Sequence, residues 1–380
     1  MNFIKKNYSL FYRIMSVSII LFILISSASI FSCTALQQYL DKTGIESSCK
    51  DIMTHYSPGN PSELAGFAEN FSLSDSTAPF NPGIPEVKDI GSWKLDIPGN
   101  SNLIQEKLFF KTPLSNHTYS DDKLVLYIYR QGELKNSRVL LFIPGMGVSD
   151  LALFFIKNFF KEIIERGYAL AVYIPPYHLE RIPEGKETGE GFFTHDTVRN
   201  SKMITGCTAE IRSVSAFFRS QGVASVSAWG GSMGASFLLL AAHFEKYSHL
   251  TVMIPVLDWN SLMLDNPGFC ILKERLIVDG YNEETLRKLY YQVSPMNYNL
   301  LTGPDRVLFM TAAYDQLTSL KLTEKYREKH QSPLIKIYSR SHSTILTDYD
   351  IYKDYADQLD KWDSNKLIIS PEDTAGTKLK

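Results

Sequence analysis

A serine flanked by glycines separates a strand-like segment from a helix-like one. The segment Gly230–Gly234 reads G-x-S-x-G, with Ser232 at its centre. The preceding residues 223–229 favour a strand, and the apolar run 235–244 favours a buried helix. On such a tight turn the serine Oγ projects above the sheet, and the helix dipole favours an oxyanion beside it. The pattern therefore predicts a nucleophilic serine; the alternative is a glycine-rich turn whose serine caps the helix.

A nucleophilic serine needs a base to take its proton and an acid to orient that base, and candidates for both follow in the chain. Asp315 stands at the C-terminal end of a buried strand predicted at 306–311. His342 follows the strand predicted at 334–338 after a short polar turn. Because parallel strands place their C-terminal ends at one edge of a sheet, Ser232 and these two side chains are expected to converge there.

Serine, then aspartate, then histidine is the chain order found in α/β-hydrolases, and on these residues the sequence resembles that superfamily from about Trp93 to Trp362. The resemblance implies an α/β-hydrolase fold and a catalytic triad of Ser232, Asp315 and His342. Chemistry of this kind requires no metal and no cofactor.

A glycine-containing turn after another buried strand provides candidate amide donors for an oxyanion. The strand predicted at 139–143 runs into Pro144-Gly145-Met146-Gly147. In this superfamily the corresponding loop often reads His-Gly-x-Gly, and here a proline replaces the histidine. The resemblance implies an oxyanion hole formed by the amides of Met146 and Met233. An ordinary strand-to-helix turn would also explain the two glycines.

Other residues compete for the roles of acid and base. Asp258 follows the strand predicted at 251–256, a place from which some members of the superfamily take their acid. Two histidines in the segment 175–197 are expected above the site and could approach it, whereas three others are expected near helix ends or low on the sheet. These histidines are His178, His195, His243, His249 and His330.

Eight strand signals alternate largely with helix signals, which predicts an α/β fold with a mostly parallel sheet covered by helices on both faces. The first two strands suit an antiparallel edge. The predicted strands are 106–112, 123–129, 139–143, 169–174, 224–228, 251–256, 306–311 and 334–338. The helices predicted between and after them are 151–166, 198–220, 317–330 and 344–362.

Two insertions leave the C-terminal ends of strands and are predicted to cap the site. The second, 258–299, mixes apolar and charged residues and favours a helical cap. The first, 175–197, resembles a stretch found in an uncharacterised branch of bacterial α/β-hydrolases. Its polar residues either contact substrate, the candidates being Tyr177, His178, Arg181 and Glu190, or fix the loop through ion pairs of Glu180 and Arg181.

The two ends of the chain are predicted to lie outside the hydrolase domain, which we place at 93–363. Residues 1–32 have a basic start and an apolar stretch typical of a signal peptide. The segment before Cys33 resembles a relaxed bacterial lipoprotein box, which implies export and a lipid anchor on this cysteine. Cleavage after Ala28, giving a periplasmic or secreted protein, and an uncleaved anchor are the alternatives. Residues 33–92 favour a tether or an N-terminal extension, with one short helix predicted near 36–42, and residues 364–380 favour a tail.

Composition is that of an exported globular enzyme. At 44% hydrophobic residues and a formal charge of −2, the 380-residue chain can bury one large core and has no basic stripe for a nucleic acid. Three cysteines besides Cys33 lack metal-like spacing and are expected as buried thiols, with one disulfide possible. These are Cys49, Cys207 and Cys270.

Together these features predict hydrolysis of a carboxylic ester, from a small molecule or a lipid, through an acyl-enzyme. Amide or peptide cleavage and acyl transfer are alternatives on the same fold. The alternative from another class is a surface lipoprotein that binds without turnover.

Overall fold

The computed structural model describes residues 34–54, 56, 60–71, 73, 86–89, 103–112, 123–155 and 157–366. The predicted signal segment, Cys33 and most of the predicted tail lie outside these residues. No helix within the described ranges is both long enough and apolar enough to cross a bilayer.

The described strands form a nine-stranded sheet in the order β1-β2-β3-β5-β4-β6-β7-β8-β9. The first three strands are antiparallel to their neighbours, and the six strands β4 to β9 are mutually parallel. The strands are β1 Glu86–Asp89, β2 Leu103–Lys111, β3 Lys123–Gln131, β4 Arg138–Ile143, β5 Tyr168–Ile174, β6 Ser225–Gly231, β7 Leu250–Met253, β8 Val307–Ala312 and β9 Leu334–Tyr338.

Helices flank this sheet and also form the cap and the N-terminal extension. They are α1 Thr34–Thr54, α2 Pro61–Asn70, α3 Asp150–Phe155, α4 Lys157–Glu165, α5 Thr197–Ser220, α6 Met233–Phe244, α7 Trp259–Met263, α8 Cys270–Val278, α9 Glu283–Gln292, α10 Leu320–Lys329 and α11 Tyr349–Lys366. Helices α7, α8 and α9 occupy the predicted cap insertion.

Both faces of the sheet are apolar because its central strands are buried on both sides. Along β4 the buried side chains alternate between two hydrophobic clusters: Val139 and Leu141 belong to one, Leu140 and Phe142 to the other. The first cluster contains α5 and α6, and the second contains α4 and α11. The parallel strands are thereby fixed with their C-terminal ends at one edge, where the loops carry the candidate site.

All eight predicted strands are present, with ends that differ by a few residues. A ninth strand, β1, was not predicted, since its sequence Glu-Val-Lys-Asp carries a single apolar residue. It pairs antiparallel with β2 and extends the sheet at the antiparallel edge.

The segment 33–92, predicted as a tether or an N-terminal extension, packs on the domain where the structure describes it. Its described part contains α1 and α2, and α1 packs into the domain through Ile45, Cys49 and Ile52, which belong to the first hydrophobic cluster. A Cβ added to Gly268 in the cap would lie 1.9 Å from Ile45, so the cap is shaped around this helix. Helix α1 is therefore part of the globular domain and lies in the region above the strand ends.

Candidate active site

The tight turn predicted around Ser232 lies between β6 and α6, and it holds this residue in a strained backbone conformation. Ser232 has φ 51° and ψ −118°, outside the regions that ordinary L-residues prefer. The neighbouring glycines allow this turn to be compact: a Cβ on Gly230 would lie 2.6 Å from the Ala235 Cα, and one on Gly234 would lie 2.3 Å from the Pro144 carbonyl oxygen. Such strain is retained where the surrounding structure enforces it, as at functional turns.

The three predicted side chains meet at the C-terminal edge of the sheet. Ser232 Oγ lies 2.8 Å from His342 Nε2, and His342 Nδ1 lies 2.8 Å from Asp315 Oδ2. The Asp315 side chain is fully buried, while that of His342 keeps 13% of its surface exposed. With Nδ1–H donated to the carboxylate, Nε2 is free to accept the serine proton.

The turn after β8 fixes the Asp315 carboxylate. Its Oδ1 accepts hydrogen bonds from the amides of Leu317 and Thr318 at 2.8 Å and 2.7 Å. Its Oδ2 accepts from the Thr318 hydroxyl at 2.6 Å as well as from His342. These hydrogen bonds hold the carboxylate in the orientation in which Oδ2 accepts from His342.

The electrostatic surroundings of His342 favour its protonated form. Burial of the imidazole acts to lower its pKa, but the charge and hydrogen bond of Asp315, with a further contribution from the charge of Asp41, outweigh burial and raise the pKa above its ordinary value. A base with a raised pKa accepts the serine proton more readily and stabilises the imidazolium that results.

Met146 and Met233, the candidate oxyanion donors, both border the cavity that contains Ser232 and His342. Met233 is the first residue of α6, so its amide lies at the positive end of the helix dipole. Met146 lies in the loop after β4. The next amide of that loop, from Gly147, is not available to substrate because it donates to His178 Nε2 at 2.8 Å.

His178 supports this loop from the first insertion. It is fully buried, and its Nδ1 lies 2.7 Å from the Pro176 carbonyl oxygen. Because Nε2 accepts from Gly147, Nδ1 carries the proton. Burial lowers the pKa of His178 to about 4, which keeps the ring neutral and suited to this bridging role. His178 thus contacts the backbone of the candidate oxyanion loop.

Ion pairs fix the first insertion, as one of the two sequence interpretations proposed. Arg181 is buried and donates to Glu210 on α5 at 2.8 Å and 2.9 Å. Glu180 pairs with Lys107 on β2. Among the residues considered for substrate contact, Glu190 does border the cavity, although its carboxylate also pairs with Lys186 at 3.0 Å.

Two cavities meet at Ser232. The larger, of about 530 Å³, extends beneath the cap, and the smaller, of about 410 Å³, extends beneath the loop after β4; both are bordered by Met146, Ser232 and His342. Apolar side chains of the cap form much of the larger wall, including Trp259, Leu262, Met263 and Phe269. Residues of α1 complete this wall, namely Gly44, Ser47, Ser48, Asp51 and Ile52.

The alternative acid is committed elsewhere. Asp258 caps α7, its Oδ1 accepting from the Asn260 amide at 3.0 Å and its Oδ2 from the Ser261 hydroxyl at 2.6 Å. Asp315, not Asp258, contacts the imidazole of His342.

The four other histidines considered as candidates also lie in packing positions. His195 contacts Tyr56, with ring centroids 4.7 Å apart, and His249 stacks on Trp362 at 4.6 Å. His243 Nδ1 lies 3.0 Å from a backbone carbonyl oxygen. Burial lowers the pKa of His330 to about 4, which favours the neutral ring in its contact with Tyr326.

Cys207 is a buried free thiol, and Cys49 is buried within α1. The side chain of Cys270 lies outside the described set. Among the described residues, no group of three or more His, Cys, Asp or Glu side chains could hold a metal ion.

One contact of the site was not predicted at all. Asp41 on α1 accepts a hydrogen bond at 2.9 Å from the amide of His342. Nothing in the spacing of α1 relative to the strands indicated this contact, since 301 residues separate the two partners.

Comparison with solved structures identifies the fold. An acetyl xylan esterase from Paenibacillus sp. R4 superimposes with a TM-score of 0.53 at 12% identity, covering 82% of this chain and 98% of that one. Acetyl xylan esterase 1 from a Thermoanaerobacterium species gives 0.47 at 16% identity, over 75% and 89% of the two chains. An acylaminoacyl peptidase from Pyrococcus horikoshii gives 0.46 at 12%, over 67% and 48%. Only the first of these TM-scores exceeds 0.5.

The fold class follows from the strand order and the first of these similarities. The sheet is mostly parallel and has helices on both faces, which defines an α/β protein. Ser232 lies on the turn between β6 and α6, at the C-terminal edge of this sheet. The chain has the α/β-hydrolase fold. No protein-family model matches the sequence, and no curated protein matches it significantly.

Proposed function

We propose that this protein is a serine hydrolase that cleaves a carboxylic ester through an acyl-enzyme. The observation that carries the proposal is the relay from Ser232 through His342 to Asp315, with both contacts at 2.8 Å and the serine held on a strained turn. A buried histidine–aspartate pair next to a serine of unusual backbone geometry is the arrangement that activates a hydroxyl.

The reaction begins when His342 Nε2 takes the Ser232 proton as Oγ attacks the acyl carbonyl carbon. Asp315 holds the imidazole tautomer and stabilises the imidazolium. The amides of Met146 and Met233 receive the oxyanion, and loss of one such donor typically costs about 3 kcal/mol of transition-state stabilisation. His342 then protonates the leaving alkoxide, and a water molecule activated by the same imidazole releases the acid.

The two cavities at Ser232 support an ester with substituents on both sides of the carbonyl. The cavity beneath the cap, with its apolar wall from Trp259 and Phe269, suits an acyl chain or an aryl group. The cavity beneath the loop after β4 suits the alcohol, because Pro144 and Leu346 border it beside Ser232 and His342. A lipid or other apolar small-molecule ester is therefore the proposed substrate class.

Labelling with a fluorophosphonate probe tests the nucleophile. We expect the purified protein to be labelled, and we expect Ser232→Ala and His342→Ala to lose the label while remaining folded by circular dichroism. The matched control is Ser364→Ala at the exposed end of α11, which should be labelled like the wild type. A folded wild type that is not labelled would favour a binding module without turnover.

Substrate class is tested with p-nitrophenyl esters of increasing acyl length and with the matching p-nitroanilides. The proposal expects turnover of esters and a kcat/KM that rises with chain length while the apolar wall is being filled. Hydrolysis of the anilides without that of the esters would identify an amidase instead. Product analysis with added alcohol would detect acyl transfer to an acceptor other than water.

We also propose, from the sequence alone, that the protein is exported and anchored to a membrane by lipid on Cys33. The basic residues at the start of the chain, the following apolar stretch and the residues before Cys33 support this proposal. A lipid anchor would bring the site close to esters in a bilayer.

A further inference from the structure

We propose that Asp41, on α1, is a positioning residue of the active site: its carboxylate joins the loop that carries His342 to the turn that carries Asp315. The inference rests on the proposed function, since it assigns Asp41 a role in orienting the proposed base. It also assigns the N-terminal extension to the catalytic unit.

The Asp41 carboxylate bonds to both catalytic loops at once. Its Oδ2 accepts from the amides of His342 at 2.9 Å and of Gln316 at 3.1 Å. Its Oδ1 accepts from the amide and the hydroxyl of Ser343, at 2.9 Å and 3.0 Å. Gln316 directly follows Asp315, so one carboxylate group ties the acid and the base of the triad through the backbone of each.

These contacts hold the Asp41 carboxylate in the protein interior, where the loss of hydration makes a charge unfavourable. Asp41 is fully buried, and no described Lys or Arg side chain forms an ion pair with it. A buried carboxylate without a cation is stable only when hydrogen-bond donors replace its hydration, and here two catalytic loops supply those donors. The loops must therefore adopt one relative arrangement to satisfy the charge, and that arrangement is the one in which His342 reaches Ser232.

Gln37 extends the same junction by one helical turn. Its side-chain amide donates to the Ser339 carbonyl oxygen at 3.1 Å, and its carbonyl oxygen accepts from the Thr344 hydroxyl at 3.0 Å. Helix α1 thus contacts the loop that carries His342 on both sides of this residue, through the backbone of Ser339 and the side chain of Thr344. Residues 37 and 41 lie on one face of α1, because positions four apart are neighbours on a helix.

The charge of Asp41 also acts on the imidazole. The charged groups packed against His342 are Asp315 and Asp41, both of which raise its pKa. Arg340, two residues earlier in the loop, is paired with Asp348 at 3.1 Å. Asp51, Glu187 and Glu190 border the cavity into which the imidazole faces. Removal of the Asp41 charge is therefore expected to lower the pKa of His342 as well as to loosen its loop.

The test compares Asp41→Asn with the wild type in the full chain, using a p-nitrophenyl ester that the wild type hydrolyses. We expect kcat to fall about tenfold to hundredfold with KM nearly unchanged, because misplacement of a catalytic group mainly affects the transition state. We also expect the acidic limb of the kcat/KM profile to move to lower pH. Glu46→Gln, which removes an exposed charge from the same helix, is the matched control and should leave both unchanged.

Nuclear magnetic resonance of the His342 side chain provides a readout that needs no turnover. With ¹³C-labelled histidine, the proposal expects the His342 signal to titrate at a lower pH in Asp41→Asn than in the wild type. This measurement separates the role of Asp41 from the proposed function. An inactive wild type would refute the proposed function, whereas the titration would still test the role of Asp41.

A purely structural role would have a different outcome. If Asp41→Asn lowered only the melting temperature, with kcat, the acidic limb and the His342 titration unchanged, the proposal would be overturned. Should that variant not fold, Ser343→Ala removes one hydrogen bond and keeps the charge. It is then expected to lower kcat about two- to fivefold, because only one of the four hydrogen bonds to the carboxylate is lost. Unchanged kcat in Ser343→Ala would overturn the proposal in that case.

Discussion

At the scale of single residues, protonation of His342 should control the reaction. The base must be neutral to accept the Ser232 proton, and its pKa is raised above the ordinary value of about 6.5. We therefore predict that kcat/KM falls as pH decreases, with a midpoint above about 6.5. Rates measured from pH 5 to pH 9 check this, and Asp315→Asn should move the midpoint to lower pH. A wild-type midpoint below 6 would contradict the assigned surroundings.

The same shift has a consequence for stability, with a definite sign. A histidine whose pKa is higher in the folded than in the unfolded state stabilises the fold while it is protonated in both. The contribution of His342 is fully present below about pH 6.5 and is lost as pH rises through the folded pKa. The pH range that favours catalysis is thus the range in which this contribution to stability is absent.

Gly230 and Gly234, on either side of Ser232, cannot take a Cβ unless backbone atoms move. In Gly234→Ala the new Cβ would lie 2.3 Å from the Pro144 carbonyl oxygen and 2.4 Å from that of Ile143, so strand β4 and α6 must separate. We predict a loss of about 1–3 kcal/mol or more in the free energy of unfolding, together with lower activity.

A matched helical glycine provides the control for that prediction. Gly66 on α2 has nothing within 4 Å of an added Cβ, and Gly66→Ala should stabilise the protein by about 0.5–1 kcal/mol through helix propensity. Thermal unfolding of both variants decides the matter. Equal melting temperatures for the two variants would show that the close approach of α6 to β4 does not contribute to stability.

At the scale of elements, the pair between Arg181 and Glu210 should hold the first insertion on α5. Glu210 also accepts from the hydroxyls of Thr112 and Tyr173, and Arg181 donates to the Ile174 carbonyl oxygen at 2.9 Å. Glu210→Gln leaves a buried guanidinium without its counter-charge, and we predict a loss of about 3–5 kcal/mol. The double variant Arg181→Met with Glu210→Leu should cost less, because no charge then remains buried.

An exposed arginine supplies the comparison for this pair. Arg287 pairs with Asp265 and Glu283 at 2.7 Å, with 37% of its side chain exposed. Arg287→Met should change stability by about 1 kcal/mol or less, because solvent screens such pairs. Urea unfolding measures all three variants. A Glu210→Gln loss no larger than that of Arg287→Met would contradict the role given to the buried pair.

Much of the architecture was predictable because the central strands are continuous apolar runs. The predicted C-terminal ends of these strands also indicated that Ser232, Asp315 and His342 lie close together, because parallel strands end at one edge of the sheet. Strand β1 escaped prediction because strand pairing, not apolar pattern, accounts for it. Both results have one cause. An apolar pattern detects a segment that is buried through apolar side chains, and it misses a segment that is held by other contacts.

Helix α1 shows the limit of that reasoning most clearly. Its buried positions are spaced as on a helix face, but two of them are polar, so the face does not read as apolar; the buried residues are Gln37, Asp41, Ile45, Cys49 and Ile52. The polar pair is explained only by contacts with Ser339 and His342, about 300 residues away in the chain. Such a contact depends on the assembled fold and leaves no local signal.

At the scale of the whole molecule, α1 changes what a lipid on Cys33 would do. A tether or an extension was expected between the anchor and the domain, and the structure has α1 beginning at Thr34 and reaching the loop of His342 at Asp41. Seven residues of helix span about 10 Å. The proposed anchor would therefore hold the catalytic edge near the bilayer surface, where a lipid ester could enter beneath the cap.

This geometry makes lipidation of Cys33 the prediction with the widest consequence. In a bacterial host given an alkyne fatty acid, we expect the wild type to incorporate the label and Cys33→Ser to incorporate none. The mass of the mature N-terminus discriminates the alternatives: a diacylated Cys33, a chain beginning at Ser29, or a chain that retains residues 1–32. Either of the last two results would contradict the lipid anchor on Cys33. If the anchor is present, activity on vesicle-borne esters relative to soluble esters should be higher for the lipidated protein, because only the anchored site is held at the bilayer.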